Sequence, residues 1–464
     1  MNPATLCATT APAPTRDSSA ASWPDLTWVD EFIRRVRPYI QVRATDGLLI
    51  KRPNQAQKLN PTGVRVLTAL LAGDSFDRLV ERVGRDPVRV RQIGLFLFEV
   101  KRFLEGNLTE ANATRAVEFQ PLPVNFSPLP VLAEVALTRR CQLRCRFCYG
   151  ACSPEAESQA STPVQMTTAE VLRVLRIIRH DAQVPSVSFT GGEPTLRHDL
   201  PELIAEAKAL DFRVNLVTNG TRIDGQYARR LADAGLDSAQ VSLEGVCAST
   251  HDRMTGGPGS FERTCQAVRH LANAGLHVHT NTTITAFNLE DCRAMPRFVK
   301  NRLGRDRFSM NLVIPTGRAA TDHSQQIRYR DIGRVLEAIL AESRRVDLEF
   351  MWYSPTPLCL FNPIPKGLGN KGCAACDGLL SVAADGSVLP CSSCPDPVGN
   401  LLREDFDAVW QSRRARAYRE KRFAPAGCRA CEHFAVCPGA GPLYLRTLGS
   451  GELPPGRGHP TPPV

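Results

Sequence analysis

The chain has 464 residues, 43% hydrophobic and 22% charged, with a formal net charge of +10. At roughly 150 residues per domain this length predicts about three domains and excludes a single lobe. No run approaches the roughly 20 apolar residues that span a bilayer. The start lacks a basic segment followed by an apolar core, so the expectation is a cytoplasmic protein with no membrane partner. The basic residues are densest at Arg413, Arg414, Arg416, Arg419, Lys421 and Arg422, with no aromatic residues interleaved, which reads as a solvated helix face and no nucleic-acid partner. Of the sixteen cysteines, twelve are bunched between 141 and 152 and between 359 and 437. Without a secretory signal, such bunching favours metal or cluster ligation over disulfides.

Residues 1–22, rich in Ala, Thr, Pro and Ser, and 449–464, rich in Pro and Gly, are expected to be disordered tails. In 23–110, strands are predicted near Ile40–Val42 and Gly47–Ile50. Asn60-Pro61 signals a turn, Val64, Val66, Leu67, Leu70 and Leu71 follow at helical spacing, and a further helix runs over Val88–Leu104. A hairpin followed by helices makes a small winged-helix-like domain. A plain helical cap is an alternative, as is a DNA-binding winged helix, although basic residues on its helices are few beyond Arg82, Arg85, Arg89 and Arg91. Four prolines in Glu118–Pro130 mark a linker over 111–130.

Residues 131–345 read as strand then helix, repeated. Strands are predicted at Ala133–Leu137, Ser186–Thr190, Arg213–Thr218, Ala239–Leu243, His277–Ile284 and Phe308–Ile314. Thr167-x-x-Glu170 can form a capping box ahead of Val171, Val174, Leu175 and Ile178 on one helix face, and Asp199-x-x-Glu202 opens the next helix similarly. Six such units predict an α/β fold, a partial (β/α)6 TIM-like barrel with its chemistry at the carboxyl ends of the strands.

Motifs sit at those ends. Cys141-x3-Cys145-x2-Cys148 follows the first strand. A cubane [4Fe–4S] cluster held by three thiolates leaves one iron open to a small molecule. A structural zinc would need Cys152 as a fourth ligand. Gly191-Gly192-Glu193-Pro194 follows the second strand, Thr218-Asn219-Gly220 the third and Ser242-Leu243-Glu244-Gly245 the fourth. With His251-Asp252-Arg253, Gly256, Ser260-Phe261 and Pro315–Ala319, this series resembles the radical S-adenosylmethionine (radical SAM) superfamily over residues 132 to about 345; Glu244 stands where that family usually has Asp. The resemblance implies that Cys141, Cys145 and Cys148 hold the catalytic [4Fe–4S] cluster. It further implies reductive cleavage of S-adenosyl-L-methionine to a 5′-deoxyadenosyl radical, and an electron donor such as flavodoxin or ferredoxin. Cosubstrate contacts are implied for Gly191, Gly192, Glu193, Pro194, Thr218, Asn219, Ser242 and Glu244. It names no acid or base.

Residues 346–448 carry Cys359, Cys373-x2-Cys376, Gly386-x4-Cys391-x2-Cys394 and Cys428-x2-Cys431-x5-Cys437-x3-Gly441. Asp385-Gly386 signals a hairpin that pairs Leu379–Val382 with Val388–Pro390 and brings Cys376 near Cys391. The pattern resembles the SPASM domain, which implies one or two auxiliary [4Fe–4S] clusters. Cys373, Cys376, Cys391 and Cys394 are expected to hold the nearer one. Cys428, Cys431 and Cys437 would hold a second, without a fourth thiolate of known position because Gly441 replaces the family's cysteine. Paired C-x2-C knuckles also suit a zinc ribbon. Cys7, Cys247, Cys265 and Cys292 read as free or buried thiols.

The segment 38–108 of the 23–110 domain, with LNPTG leading into LTALLAG, resembles PqqD-like domains, which take up a precursor peptide as an added strand. Together the resemblances imply a radical SAM/SPASM enzyme that modifies a precursor peptide or protein. The alternatives are a radical SAM enzyme acting on a small-molecule cofactor precursor, such as a modified tetrapyrrole, and a non-catalytic zinc-binding interaction protein.

Overall fold

The computed structural model describes residues 26–53, 55–105, 127–154, 165–369, 371–437 and 439–453. The expected tails at 1–22 and beyond 453, the linker up to 126, and Cys7 lie outside them. Contacts divide the chain into two compact units, Met1–Pro38 with Leu59–Glu118, and Tyr39–Lys58 with Phe119–Val464.

The first unit is helical: α1 (Val29–Val36), α2 (Pro61–Leu71), α3 (Phe76–Arg82) and α4 (Pro87–Glu105). The side chain of Asn60 accepts from the Gly63 amide at 2.8 Å, and Pro61 sits in the first turn, where its missing N–H costs nothing; this is why α2 starts there. Val66, Leu67 and Leu70 form its buried face. Gly63 lets α4 approach, since a Cβ there would lie 3.0 Å from the Phe96 ring.

The second unit begins with three antiparallel strands, β1 (Ile40–Arg43), β2 (Leu48–Lys51) and β3 (Gln55–Lys58), in that order across a small sheet. The third strand is additional to the two expected. Its sequence, QAQK, has no alternation of large apolar residues, and its place is set by register with β2, Ile50 opposite Ala56. The sheet is fastened to the body of this unit by arginines. Buried Arg43 pairs with Asp46 at 2.8 Å and donates to the Pro130 carbonyl at 2.6 Å. Arg52 pairs with Asp211 at 2.7 Å, and Arg179 donates to the Gln41 amide oxygen at 3.0 Å.

Seven parallel strands follow: β4 (Leu132–Ala136), β5 (Ser186–Thr190), β6 (Arg213–Thr218), β7 (Ser238–Ser242), β8 (His277–Ile284), β9 (Arg307–Leu312) and β10 (Glu349–Trp352). Between them run α5 (Thr168–His180), α6 (Leu200–Ala209), α7 (Gly225–Asp233), α8 (Ala248–Thr255), α9 (Ser260–Asn273), α10 (Leu289–Leu303) and α11 (Tyr329–Arg345). The partial TIM-like barrel is therefore present, with β10 added to the six expected strands; four residues, EFMW, give too short an apolar run to announce a strand. The capping box at Thr167 and Glu170 forms as expected.

On the other edge, β11 (Leu379–Val382) pairs in parallel with β4, then β12 (Ser387–Leu389) and β13 (Gly399–Asn400) pair antiparallel. The predicted hairpin is β11–β12, and it extends the barrel sheet directly. The C-terminal region ends in short helices α12 (Phe406–Trp410), α13 (Arg413–Arg419), α14 (Ala426–Arg429) and α15 (Pro442–Leu448). On α13, Arg413, Arg414 and Arg416 are exposed as a solvated face should be. Arg419 departs from that expectation: it is buried, donating to the Trp410 carbonyl at 2.6 Å and to that of Cys376 at 3.0 Å.

Alternation along the strands places Val135, Val187, Phe189, Val214, Leu216 and Val241 under the helices. The opposite face of β4–β8 carries Glu134, Ser188, Asn215, Gln240 and His279, all polar and half-buried. That inner face is a polar lining, unlike a barrel interior filled by branched apolar side chains.

Candidate active site

The cysteine loop leaves β4 and is held from three sides. Its own turns close through the Cys148 amide on the Cys145 carbonyl, 3.2 Å, and the Ala151 amide on that of Cys148, 3.2 Å. The end of α8 supports it, since the Arg144 and Arg146 amides donate to the carbonyls of Thr255 and Met254, both at 3.0 Å. Arg318 clasps it across the barrel mouth, its guanidinium donating to the carbonyls of Cys145 at 3.2 Å and Cys152 at 2.9 Å. Gly317, at φ +56, makes the clasp possible, because a Cβ there would lie 2.2 Å from the Tyr149 carbonyl oxygen.

The Gly-Gly turn after β5 serves the same loop. The Gly192 amide donates to the Thr138 carbonyl at 2.7 Å and the Glu193 amide to that of Arg140 at 2.8 Å. A Cβ on Gly192 would sit 2.1 Å from the Arg140 oxygen. Glu193 is fully buried and joins two strand ends. One carboxylate oxygen accepts from the Thr195 amide at 3.0 Å and from the hydroxyls of Thr195 at 2.6 Å and Thr218 at 2.7 Å; the other accepts from the Asn219 amide at 2.8 Å. Burial pushes its carboxyl above the ordinary range against those four donors. Pro194 opens the short turn that follows.

The third and fourth motifs meet this frame. Asn219 donates from its side chain to the Cys141 sulfur at 3.7 Å, and the Gln142 amide group donates back to the Asn219 side-chain oxygen at 3.0 Å. Ser242 ends β7 opposite Asn281 of β8. Glu244, 2% exposed, accepts from the Thr283 amide at 2.8 Å, and burial pushes it up to about 8. Its backbone amide donates to His251 Nδ1 at 3.1 Å, which leaves the Nε2–H tautomer; burial holds that imidazole near 4, so it is neutral. Asp252 caps the α8–α9 corner, accepting from the amides of Gly259 at 2.6 Å and Phe261 at 2.8 Å. The His-Asp-Arg motif thus builds the shelf on which the cysteine loop rests.

The three thiols differ electrostatically. Burial pushes Cys141 up to about 12 and Cys145 well above its ordinary value. Cys148 is pulled down to about 6, chiefly by the Cys152 thiol hydrogen-bonded to it. Iron ligation requires all three as thiolates, so cluster binding here would release protons. Residues not singled out in the sequence also reach the site. Gln142 Oε1 is buried with no partner among the described residues beside Cys141. Glu134 of β4 accepts from the Ser392 amide at 3.2 Å and from the Ser381 hydroxyl, and burial raises its carboxyl. Neither Gln142 nor Glu134 carries a motif that sequence reading could have found.

In the C-terminal region the hairpin does bring Cys376 to Cys391, the Cys376 amide donating to the Pro390 carbonyl at 2.9 Å. Cys373, Cys376, Cys391 and Cys394 form one group. Cys373 and Cys394 each push the thiols of Cys376 and Cys391 further up, behind burial as the main cause. Cys428, Cys431 and Cys437 form another on α14 and the turns after it, with the Cys431 amide on the Cys428 carbonyl at 3.1 Å. Among the described residues no three Cys, His, Asp or Glu side chains are gathered tightly enough to share a single ion, and the thiols stand as looser groups. Cys265 and Cys292 are buried and Cys247 is exposed, all as free thiols.

Residues 135–299 match the family model of the radical SAM superfamily, and 373–432 that of SPASM, an iron–sulfur cluster-binding domain. The chain is 30% identical over 351 residues to the pre-heme d1 synthase of Dinoroseobacter shibae, covering 69% of this chain and 84% of that protein. It is 28% identical over 338 residues to the PqqA peptide cyclase of Rhizobium meliloti, covering 71% and 86%. The crystal structure of Streptococcus suis SuiB bound to precursor peptide SuiA has the same fold, with TM-score 0.62 at 17% identity over 88% of this chain and 95% of that one.

Proposed function

The chain belongs to the radical SAM superfamily and carries a SPASM iron–sulfur domain, and from that premise we propose that it modifies a ribosomally made precursor peptide. In this reading Cys141, Cys145 and Cys148 would hold the catalytic [4Fe–4S] cluster, which would bind S-adenosyl-L-methionine. When bound, the cluster supplies one electron that splits the sulfonium bond and yields the 5′-deoxyadenosyl radical that takes hydrogen from the substrate.

The protein's share is placement. The Gly191-Gly192 turn and Glu193 fix the cysteine loop against β5 and β6, while Asn219, Ser242 and Gln142 offer polar groups to the cosubstrate. Glu193 is fully buried and accepts from four protein donors, so its part is to position Thr218 and Asn219. The polar inner face of β4–β8 would receive the substrate side chain. An electron donor such as flavodoxin or ferredoxin would reduce the clusters.

The observation that carries the peptide reading is the small sheet, β1–β3, anchored by buried Arg43 and ending in a polar edge strand, β3. An edge strand offers main-chain donors and acceptors to an extended peptide, as in PqqD-like recognition, and the cyclase relative points the same way. The test is anaerobic co-expression with a short open reading frame adjacent to the gene, followed by mass spectrometry of its product. Loss of two hydrogens or a new crosslink supports the proposal; an unmodified peptide beside active cosubstrate cleavage refutes it.

A second reading, action on a tetrapyrrole precursor, is favoured by the 30% identity to a pre-heme d1 synthase. It predicts substrate-dependent 5′-deoxyadenosine formation with an iron-free or iron-bound porphyrinoid in place of the peptide.

A further inference from the structure

We infer that Cys359 is the missing fourth ligand of the second auxiliary cluster, completing a set with Cys428, Cys431 and Cys437; the inference rests on the SPASM reading. Position 359 lies 78 residues before Cys437 in the chain and follows directly on a backbone contact with it, the Leu358 amide pointing at the Cys437 sulfur from 3.5 Å. A turn closed by the Leu360 and Phe361 amides on the Pro357 carbonyl, 3.0 and 3.1 Å, holds Leu358 and Cys359 in its bend. Phe361 anchors that turn against α11, where Gly333 leaves it space. With the preceding amide on the Cys437 sulfur, Cys359 lies where Cys437, Cys428 and Cys431 each act on its thiol, behind burial as the main cause.

The other thiols of the C-terminal region stand in the first group. Cys373, Cys376, Cys391 and Cys394 already make four. Position 441, where the family's cysteine is missing, lies beside Tyr329, whose hydroxyl takes a hydrogen bond from Gly441 and feels Cys373. A thiol there would serve the first group, which Cys394 has filled. Charge also fits: four thiolates on a [4Fe–4S]2+ core leave two negative charges, and the Lys421 ammonium donates to the Cys437 carbonyl at 3.1 Å beside them. A cluster with four thiolates has no open iron, so this centre exchanges electrons and does not hold substrate.

The test uses the full-length chain, reconstituted anaerobically, with Cys141, Cys145 and Cys148 replaced by Ala so that the remaining iron is auxiliary. Two clusters correspond to about eight irons per chain. Adding Cys359→Ala should remove about four of them, or leave a cluster with one open iron whose reduced EPR spectrum shifts on adding cyanide, as the parent's does not. Cys359→Ser, which offers an oxygen donor, should keep the iron with altered EPR g-values, and Cys247→Ala should change nothing. Iron content and spectra identical to the parent in Cys359→Ala, with Cys428→Ala losing about four irons, overturn the assignment. A parent with no iron at all overturns the SPASM reading beneath it.

Discussion

Glu244 should make the protein less stable as pH rises, and replacing it with Gln should remove that dependence. Its carboxyl is held at the end of β7 with the Thr283 amide as donor, and burial lifts it from an ordinary value near 4.5 to about 8. The folded state therefore prefers the neutral acid. Because the folded value lies above the unfolded one, the contribution is fully present below about pH 4.5 and is lost progressively as pH climbs to about 8. At about 1.4 kcal/mol for each unit between the two values, the whole span is worth about 5 kcal/mol, most of it already lost at neutral pH. Glutamine is close in shape to the neutral acid and does not titrate. Thermal unfolding of wild type and Glu244→Gln, followed anaerobically from pH 5 to pH 9, isolates this group, since every other titrating residue is common to both. The gap should open steadily in favour of Glu244→Gln. Parallel curves over that range would refute burial as the force acting on Glu244.

Glu193→Ala orphans four donors at the junction of β5 and β6, each worth about 1–3 kcal/mol when buried, so the denaturation midpoint should fall by more than any one of them explains. Glu193→Gln keeps one oxygen and should cost only about 1–3 kcal/mol, through the Asn219 amide it faces; equal losses in the two variants would contradict this. Gly192→Ala forces a Cβ against the Arg140 carbonyl and so displaces the cysteine loop. It should lose about four irons and 5′-deoxyadenosine formation while auxiliary iron stays, as iron assay and chromatography would record. Arg43→Met leaves Asp46 buried without its partner and should cost about 3–5 kcal/mol in denaturant titration, an effect absent from the exposed pair variant Arg307→Met.

The strands of the barrel and the motifs at their ends were legible before any coordinates, because both are local. The barrel strands read as short segments of alternating apolar and polar residues, and a loop that must approach another backbone needs glycine at Gly192 and Gly317 whatever surrounds it. The β11–β12 hairpin was legible for the same reason, through Asp385-Gly386. What escaped was set by partners distant in the chain. The polar strand β3 exists because β2 supplies its ladder, β10 because β9 does, and β11 extends the barrel only because β4 leaves an edge beside it.

The candidate site divides along the same line. Three closely spaced cysteines announce themselves in a sequence, whereas Glu193 as a tie between two strand ends, Gln142 beside Cys141 and Glu134 against Ser392 do not. Cys359 shows why. Residue type and spacing report chemistry that a single loop can deliver; a thiol 78 residues from Cys437 joins its group only when the turn at Pro357 and the C-terminal loops have packed together. Chain separation carries no information about that distance, and only the closed tertiary structure seats the Leu358 amide, next to Cys359, against the Cys437 sulfur.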